Sequence, residues 1–278
     1  MSLTTDRSDT YWLGRSDAEA RRLILQHQIY SPITRQFLSG AGITRGMKVL
    51  DVGSGAGDVA LLCADLVGPQ GRVIGVEGSN ATADFARARV RASGWANVEF
   101  LEGDIRDLDL PDDFDAVVGR WVLMYVEEPA ALLRRLVQRL RPGGIVAFQE
   151  SANLKAAAQT YPPTPLHEDL RRWLNPPVDP PMPVFDMGLR LYRTFLEAGL
   201  DAPELRQDAP IGGGPHWPGY GLVAESLRSL LPFVEQLGTV TADEVDIDTF
   251  ETRLRAEALQ HDAVQILPVV VGAWAPRR

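Results

Sequence analysis

"VLDVGSGAGDVALL", Val49 to Leu62, sets three glycines and two aspartates between two apolar runs. Val49 to Val52 is short, apolar and rich in valine, as a buried strand requires. Gly53, Gly55 and Gly57 then permit a tight turn in which backbone can approach a ligand closely. Val59 to Val67 continues at once with helical spacing. A strand that passes through a glycine turn into a helix leaves backbone N–H groups facing outward at the helix N-terminus, and a small molecule can use them.

The same rhythm continues downstream. "RVIGVE" (Arg72 to Glu77), "VEFLEG" (Val98 to Gly103), "DAVVGR" (Asp115 to Arg120) and "GIVAFQE" (Gly144 to Glu150) read as strands, separated in most cases by helical runs such as Ala81 to Ala92 and Pro129 to Leu140. Leu132, Leu133, Leu136, Val137 and Leu140 form the apolar stripe of the last of these, with Pro142-Gly143-Gly144 expected to stop it. Near-continuous apolar strands alternating with helices predict a doubly wound α/β fold, a parallel sheet covered on both faces.

Upstream, "SDAEARRLILQHQIY" opens with a capping box at Ser16 and Glu19. Pro32 is expected to break or restart this helix, and "PITRQFLSGAGI" to form a second one ending at Gly40 and Gly42. Beyond Glu150, "YPPTP" and "NPPVDPPMP" exclude a long regular helix. "DMGLRLYRTFLEAGL" predicts a helix and Pro203 to Ile211 a strand, followed by the turn cluster "GGGPHWPGYG". Thr241 with Glu244 and Asp248 with Glu251 predict two capped helices. The chain closes on "VQILPVVVGAWA", a last strand interrupted by Pro268. The resulting plan is a single domain. It has an N-terminal helical arm (1–46) and a ligand-binding core (47–150), lid insertions at 151–184 and 212–262, and the rest of the sheet in 185–211 and 263–278.

Composition narrows the function. Of 278 residues 45% are hydrophobic and 23% charged, with a net charge of −9, which disfavours a nucleic-acid partner because phosphate binding needs a basic surface. Cys63 is the only cysteine, so no intrachain disulfide and no cysteine metal site are expected; in an apolar helical run it reads as a small core residue. No signal-peptide pattern and no apolar run of about 20 residues occurs, which predicts a cytoplasmic protein with no membrane partner. Neither metal-ligand spacing nor a Ser-His-Asp arrangement is present. The expected state is a monomer or homodimer.

The glycine turn alone admits a dinucleotide. That fingerprint wants glycine at the first, third and sixth positions after the strand, whereas here they fall at the first, third and fifth, and the sixth is Asp58. Asp51 and Asp58 would repel a pyrophosphate and would suit a ligand carrying a cationic amine and a sulfonium. Glu77 ends its strand 20 residues after Gly57, where a carboxylate accepts from ribose hydroxyls. Asp104, in "EGDI", can accept from an exocyclic adenine amine or cap the helix turn that begins at Ile105.

"VLDVGSGAGD", "VIGVEGS", "EGDI", "FDAVVGRWVLMYVEEP" and "LRPGGIVAF" resemble, in order, the motifs of class I S-adenosylmethionine-dependent methyltransferases, from about Met47 to Gln149. "YWLGRSDAEARRL" is similar to a bacterial small-molecule subgroup whose arm folds over the cofactor. The resemblance implies a Rossmann-like seven-stranded sheet whose last strand is antiparallel and inserted between two others, with S-adenosyl-L-methionine as cofactor. It implies Gly53, Ser54 and Gly55 against the methionyl part, Glu77 on the ribose, and Asp104 with Ile105 at the adenine; Asp51, Gly57, Gly78 and Ser79 are further cofactor-binding candidates. Arg120 and Trp121 match positions facing the methionyl end, and Arg120 could equally pair with a structural carboxylate such as Asp51. Tyr11 is a candidate to close over the cofactor.

Three residues are candidates for the transfer itself. His216, in "GGGPHWPGYG", and His167, in "PLHEDLRRW", fall in the insertions, where one could take a proton from a phenol or alcohol. His167 looks surface-exposed. Tyr125 occupies a place where many members carry histidine, and a packing role fits it as well. The expected function is methyl transfer to an O, N or C nucleophile of a small, partly apolar molecule. The alternative is a related protein that keeps the cofactor but works as a cyclase, regulator or scaffold, and a nicotinamide oxidoreductase is a third reading.

Overall fold

The computed structural model describes residues 17–152, 159–174 and 186–278, with the side chains of 17–20 also left aside; Tyr11 and the capping box at Ser16 and Glu19 lie outside these limits. In chain order the elements are α1 (Asp17–Gly40), β1 (Lys48–Val52), α2 (Asp58–Val67), β2 (Arg72–Glu77), α3 (Asn80–Ser93), β3 (Val98–Glu102), β4 (Phe114–Arg120), a 3-10 turn (Leu123–Tyr125), α4 (Pro129–Val137), β5 (Leu140–Ala152), β6 (Gln159–Tyr161), α5 (Pro165–Leu174), α6 (Met187–Glu197), β7 (Glu204–Asp208), β8 (Ile211–Gly213), α7 (Gly219–Gln236), α8 (Ala242–Val245), α9 (Ile247–Gln260), β9 (Val264–Ile266) and β10 (Val269–Pro276). The described chain divides into two compact units. The larger takes 30–152, 186–208 and 269–278, and the smaller takes 17–29, 159–174 and 209–268.

The larger unit holds a seven-stranded sheet in the order β3-β2-β1-β4-β5-β10-β7. The first five strands are parallel, and β10 runs antiparallel between β5 and β7. Each inner strand is apolar nearly throughout because helices cover both faces. Phe37, Leu38, Val49, Val59, Ala60, Cys63, Val67, Val73, Ala86, Phe100, Ala116 and Ala147 share one core cluster. Cys63 is a buried free thiol. Phe37 fits where Gly272 has no side chain, since a Cβ there would lie 2.4 Å from the ring. From β1 the chain winds outward through β2 and β3, then returns to β4 on the other side of β1. The carboxyl ends of β1 and β4 therefore frame the switch point where such sheets bind ligands.

Three expectations about elements of this unit are corrected. α1 is one helix with Pro32 inside it. Tyr30, Thr34, Phe37 and Leu38, around and after the proline, are all buried. Their packing outweighs the lost N–H bond. α4 stops at Val137, and Pro142-Gly143-Gly144 lies inside β5. Leu140, read as the end of the helical stripe, instead pairs with Phe114, ahead of a register shift, and Gly143 at φ 76° donates to the Arg277 carbonyl at 3.0 Å. The last apolar run is two strands, β9 and β10, which belong to different sheets on either side of Pro268.

The smaller unit contains an antiparallel sheet, β6-β9-β8, with Gln265 of its central strand paired to Thr160 and Gly212. The Trp217 indole lies against Gly212 and Gly219, where any Cβ would collide with it, and donates to Gln265 Oε1 at 3.0 Å. α8 carries the predicted capping box: Thr241 accepts from the Glu244 amide and Glu244 from the Thr241 amide. The second predicted box is absent. α9 begins after Asp246 at φ 45°, and Asp248 and Glu251 bond to Arg228 and Arg255 instead. α7, 18 residues long, was hidden by the glycine and proline cluster ahead of it. His167 is 5% exposed, not solvated, because α5 packs on α9 through Trp173 against Phe250 and through Leu166 N–H donating to Glu257.

Candidate cofactor site

The turn after β1 is built from three left-handed glycines, Gly53 (φ 61°), Gly55 (φ 52°) and Gly57 (φ 81°). Residues with a Cβ rarely adopt this backbone. Gly53 also has a steric reason, since a Cβ there would lie 1.9 Å from Val122 Cγ2. Beside Gly55 and Gly78 the space is open. Ser54 N–H donates to the Val76 carbonyl at 2.9 Å and Gly57 N–H to the Ser54 carbonyl at 2.8 Å, which ties the turn to β2.

Glu77, at the carboxyl end of β2, is held in place by this turn. Its Oε2 accepts from Gly55 N–H at 2.9 Å and its Oε1 from Ser79 N–H at 3.0 Å. Two of a carboxylate's roughly four acceptor sites remain for a ligand. Asp104 starts a turn: its Oδ1 accepts from the Arg106 amide at 2.9 Å, and Arg106 also chelates it through the guanidinium. The Arg106 side-chain bond, ahead of a smaller opposing effect of burial, holds the Asp104 carboxyl below its usual range. The turn-capping role foreseen for Asp104 is thus present, beside Ile105.

The two acids of the opening stretch have different surroundings. Asp58, at the start of α2, is buried between two arginines, with Arg89 Nη1 2.5 Å from Oδ1 and Arg120 Nη2 3.2 Å from Oδ2. Arg120 donates in turn to Thr34 Oγ1 at 3.0 Å, and Thr34 to Gln149 Oε1 at 2.7 Å. The structural carboxylate of Arg120 is therefore Asp58, not Asp51. The repulsion that Asp58 was expected to exert on a ligand is also neutralised within the protein. Asp51 is 1% exposed, and neither carboxylate oxygen has a hydrogen-bond partner. Burial pushes its pKa well up, opposed by the Arg120 charge and the Ala60 amide and reinforced by Asp58 and Glu77.

Trp121 follows β4 with φ 54°, its ring edge-on to Tyr30 at 4.9 Å and 4.8 Å from the Arg120 guanidinium. Tyr125 closes the 3-10 turn, half-buried. Sequence reasoning passed over Thr34, Arg89, Gln149 and Glu150. Glu150 carries the signal that found Glu77, an acid ending a buried strand, and it is wholly buried at the end of β5. Its Oε1 accepts from the Val122 and Leu123 amides at 2.9 and 2.8 Å, and burial raises its pKa to about 7 against the pull of those amides.

Asp51, Gly53, Ser54, Gly55, Gly57, Glu77, Gly78, Ser79, Asp104, Ile105, Arg120, Trp121 and Tyr125 thus belong to the larger unit, and His167 and His216 to the smaller one. His216 is exposed in the turn before α7. A buried acid without an ion-pair partner either keeps its proton or takes a cationic neighbour. Glu77 offers spare acceptors to hydroxyls, and the space at Gly55 and Gly78 is open. These features fit an aminoacyl sulfonium nucleoside and leave a dinucleotide pyrophosphate without a reason for Asp51. Among the described residues no group of His, Cys, Asp and Glu is placed to hold a metal ion.

Comparisons with known proteins agree. The methyltransferase-domain family profile matches residues 43–175. A demethylmenaquinone methyltransferase of Symbiobacterium thermophilum is 37% identical over 112 residues, 40% of this chain and 45% of that protein. A 2-phytyl-1,4-naphtoquinone methyltransferase of Synechococcus elongatus is 37% identical over 139 residues, 47% of this chain and 56% of that one. The chain spans about half the length of the curated relatives it matches. Among solved structures, a methyltransferase of Aquifex aeolicus superposes with a TM-score of 0.50 at 20% identity, over 70% of this chain and 92% of that one, and shares the fold. Residues 43–175 thus match a methyltransferase domain, and the antiparallel strand inserted at the sheet's end is similar to that of class I S-adenosylmethionine-dependent methyltransferases.

Proposed function

We propose that this protein transfers the methyl group of S-adenosylmethionine to a small, partly apolar acceptor. The buried Asp51 carboxyl at the sheet's switch point carries the reading, because no side chain hydrogen-bonds to it and the positive end of a cofactor would pair with it. Glu77 would take the ribose hydroxyls, Asp104 and Ile105 the adenine, and Asp51 the positive amino-acid end. The bound cofactor supplies an electrophilic methyl on sulfur. The chain's own contribution is then orientation of the acceptor and exclusion of water. A general base is needed only for a weakly acidic acceptor, and His216 is the first candidate, ahead of His167 and Tyr125.

We assign acceptor choice to the smaller unit. β5 ends at Ala152, β7 ends at Asp208 and β10 starts at Val269, and pairing puts all three positions at the carboxyl edge of the sheet. The 151–184 and 212–262 insertions therefore depart from the edge that carries the cofactor residues. Two relatives act, by name, on naphthoquinone-type rings, which makes a reduced naphthoquinone the first acceptor to try. No helix among the described residues is long and apolar enough to cross a membrane, and we take the enzyme to be cytoplasmic and a monomer or homodimer. Titration calorimetry with S-adenosylmethionine and NAD, then an acceptor screen read by S-adenosylhomocysteine release, tests the proposal. Binding of NAD in preference to S-adenosylmethionine would refute the cofactor. Cofactor binding with conversion of an acceptor but no stoichiometric S-adenosylhomocysteine would favour a cyclase.

A further inference from the structure

We propose that Glu150 is a positioning residue for the cofactor turn, holding the loop after β4 by its backbone amides and, through Val122, fixing the glycine turn after β1. The inference rests on the cofactor reading above but concerns Glu150, which none of the quoted methyltransferase motifs contains. Glu150 Oε1 receives two consecutive amides, Val122 N–H and Leu123 N–H, at 2.9 and 2.8 Å, at the point where the 3-10 turn begins. Those donors have no carbonyl of their own turn to bond, so without the carboxyl they would be orphaned.

The residue just before them, Trp121, is held in a left-handed conformation that a side chain disfavours. Such a conformation persists where the surroundings over-determine it. Here the determinants are Trp121 N–H on the Gln149 carbonyl at 2.9 Å, the ring on Tyr30, and the two Glu150 bonds that follow. The consequence reaches the cofactor turn because the Val122 side chain occupies the place of a Gly53 Cβ. Val122 cannot shift without releasing Gly53, and Gly53 opens the turn whose Gly55 amide clamps Glu77. One buried acid on β5 thus bears on the ribose carboxylate on β2.

Packing alone does not explain the residue. An apolar side chain would fill the position without burying an acid, and Glu150 Oε2 has no hydrogen-bond partner. Nor does a neighbouring charge account for it. Arg120 of β4 is committed to Asp58, and Asp186 and Arg190 at α6 pair with each other. Arg134 and Arg135 of α4 bond to the Glu197 and Leu108 carbonyls, and β10 has no titratable side chain. Tyr125 lies on the turn and Tyr30 against Trp121. What acts on the carboxyl is burial and the amides of Val122, Leu123 and Met124.

The test uses the whole chain without cofactor, followed by amide NMR between pH 5 and 9, and then calorimetry with S-adenosylhomocysteine. In the wild type, the Val122 and Leu123 amides should titrate with a midpoint near 7, and the Gly53 and Gly55 amides should move with the same midpoint. Glu150→Gln keeps an acceptor oxygen, so it should abolish the titration while binding S-adenosylhomocysteine within about threefold of wild type. Glu150→Ala should bind about 10- to 100-fold more weakly, the scale of one lost charged bond. Gly53 and Gly55 amides indifferent to pH while Val122 titrates would overturn the proposal, as would wild-type affinity in Glu150→Ala. If the wild type itself ignored S-adenosylhomocysteine, the cofactor reading would fall, and the shared midpoint alone would still decide the interlock.

Discussion

Replacing Asp51 by Asn should make the ligand-free protein more stable and the cofactor-bound protein no better off. The carboxyl is 1% exposed and no side chain hydrogen-bonds to it, so in the absence of ligand the fold bears a buried acid offset only by the Arg120 charge and the Ala60 amide. Leaving such a group unsatisfied costs about 1–3 kcal/mol, and more when it is charged. Burial raises the Asp51 pKa in the folded state, so the carboxyl carries no penalty at pH values below its unfolded pKa. The penalty grows as pH rises from there toward the folded value. Asp51→Asn removes the titration altogether. The gain over wild type should therefore be small below about pH 4 and reach about 1–3 kcal/mol by pH 8, or about 2–4 °C of melting temperature per kcal/mol. Thermal melts of both proteins at several pH values, with and without S-adenosylmethionine, measure it. The wild type should gain stability from the cofactor and Asp51→Asn much less. An Asn variant less stable than wild type at pH 8 without ligand, or one stabilised equally by the cofactor, would refute the assignment of Asp51 as the slot for a cation.

Glu77→Ala should weaken S-adenosylmethionine binding by about 1.5–3 kcal/mol in calorimetry, the size of lost charged hydrogen bonds, with the fold retained. An unchanged dissociation constant would remove Glu77 from the ribose. Arg120→Met should lower stability by about 3 kcal/mol in urea denaturation, the low end for breaking a buried pair, because Arg89 still faces Asp58. A stability within 1 kcal/mol of wild type, roughly the worth of an exposed pair, would mean the network is not buried in solution. His216→Ala should cut turnover by roughly 10²–10⁴-fold on an acceptor with a protonated nucleophile, leaving cofactor affinity alone; wild-type turnover across pH 6–9 would exclude it as a base.

The strands were legible because a sheet covered on both faces writes each strand as an unbroken apolar run, and β2 was read to the residue. Periodicity misled where an apolar residue served a different partner. Leu140 continued the α4 stripe yet pairs with Phe114. Pro32 looked like a helix break, but a breaker's local cost cannot be weighed against packing that the sequence does not display. His167 sat in a polar-looking run, and only the placement of α5 on α9 shows that its side is the inner one.

The site divides in the same way. The turn of Gly53, Gly55 and Gly57 and its bond to Glu77 could be read because their geometry is local: backbone that must turn, and an acid at a strand end within reach of that turn. Asp51 and Asp58 could not be told apart, since both are aspartates flanking the same glycines. What separates them is 31 and 62 residues away, in Arg89 and Arg120. Those arginines pair with Asp58 and leave Asp51 without an ion-pair contact, acted on by the Arg120 charge at a distance. Of the two acids expected to repel a pyrophosphate, Asp58 is taken up by arginines and only Asp51 remains. That makes Asp51 the more demanding test, because no second acid stands behind it.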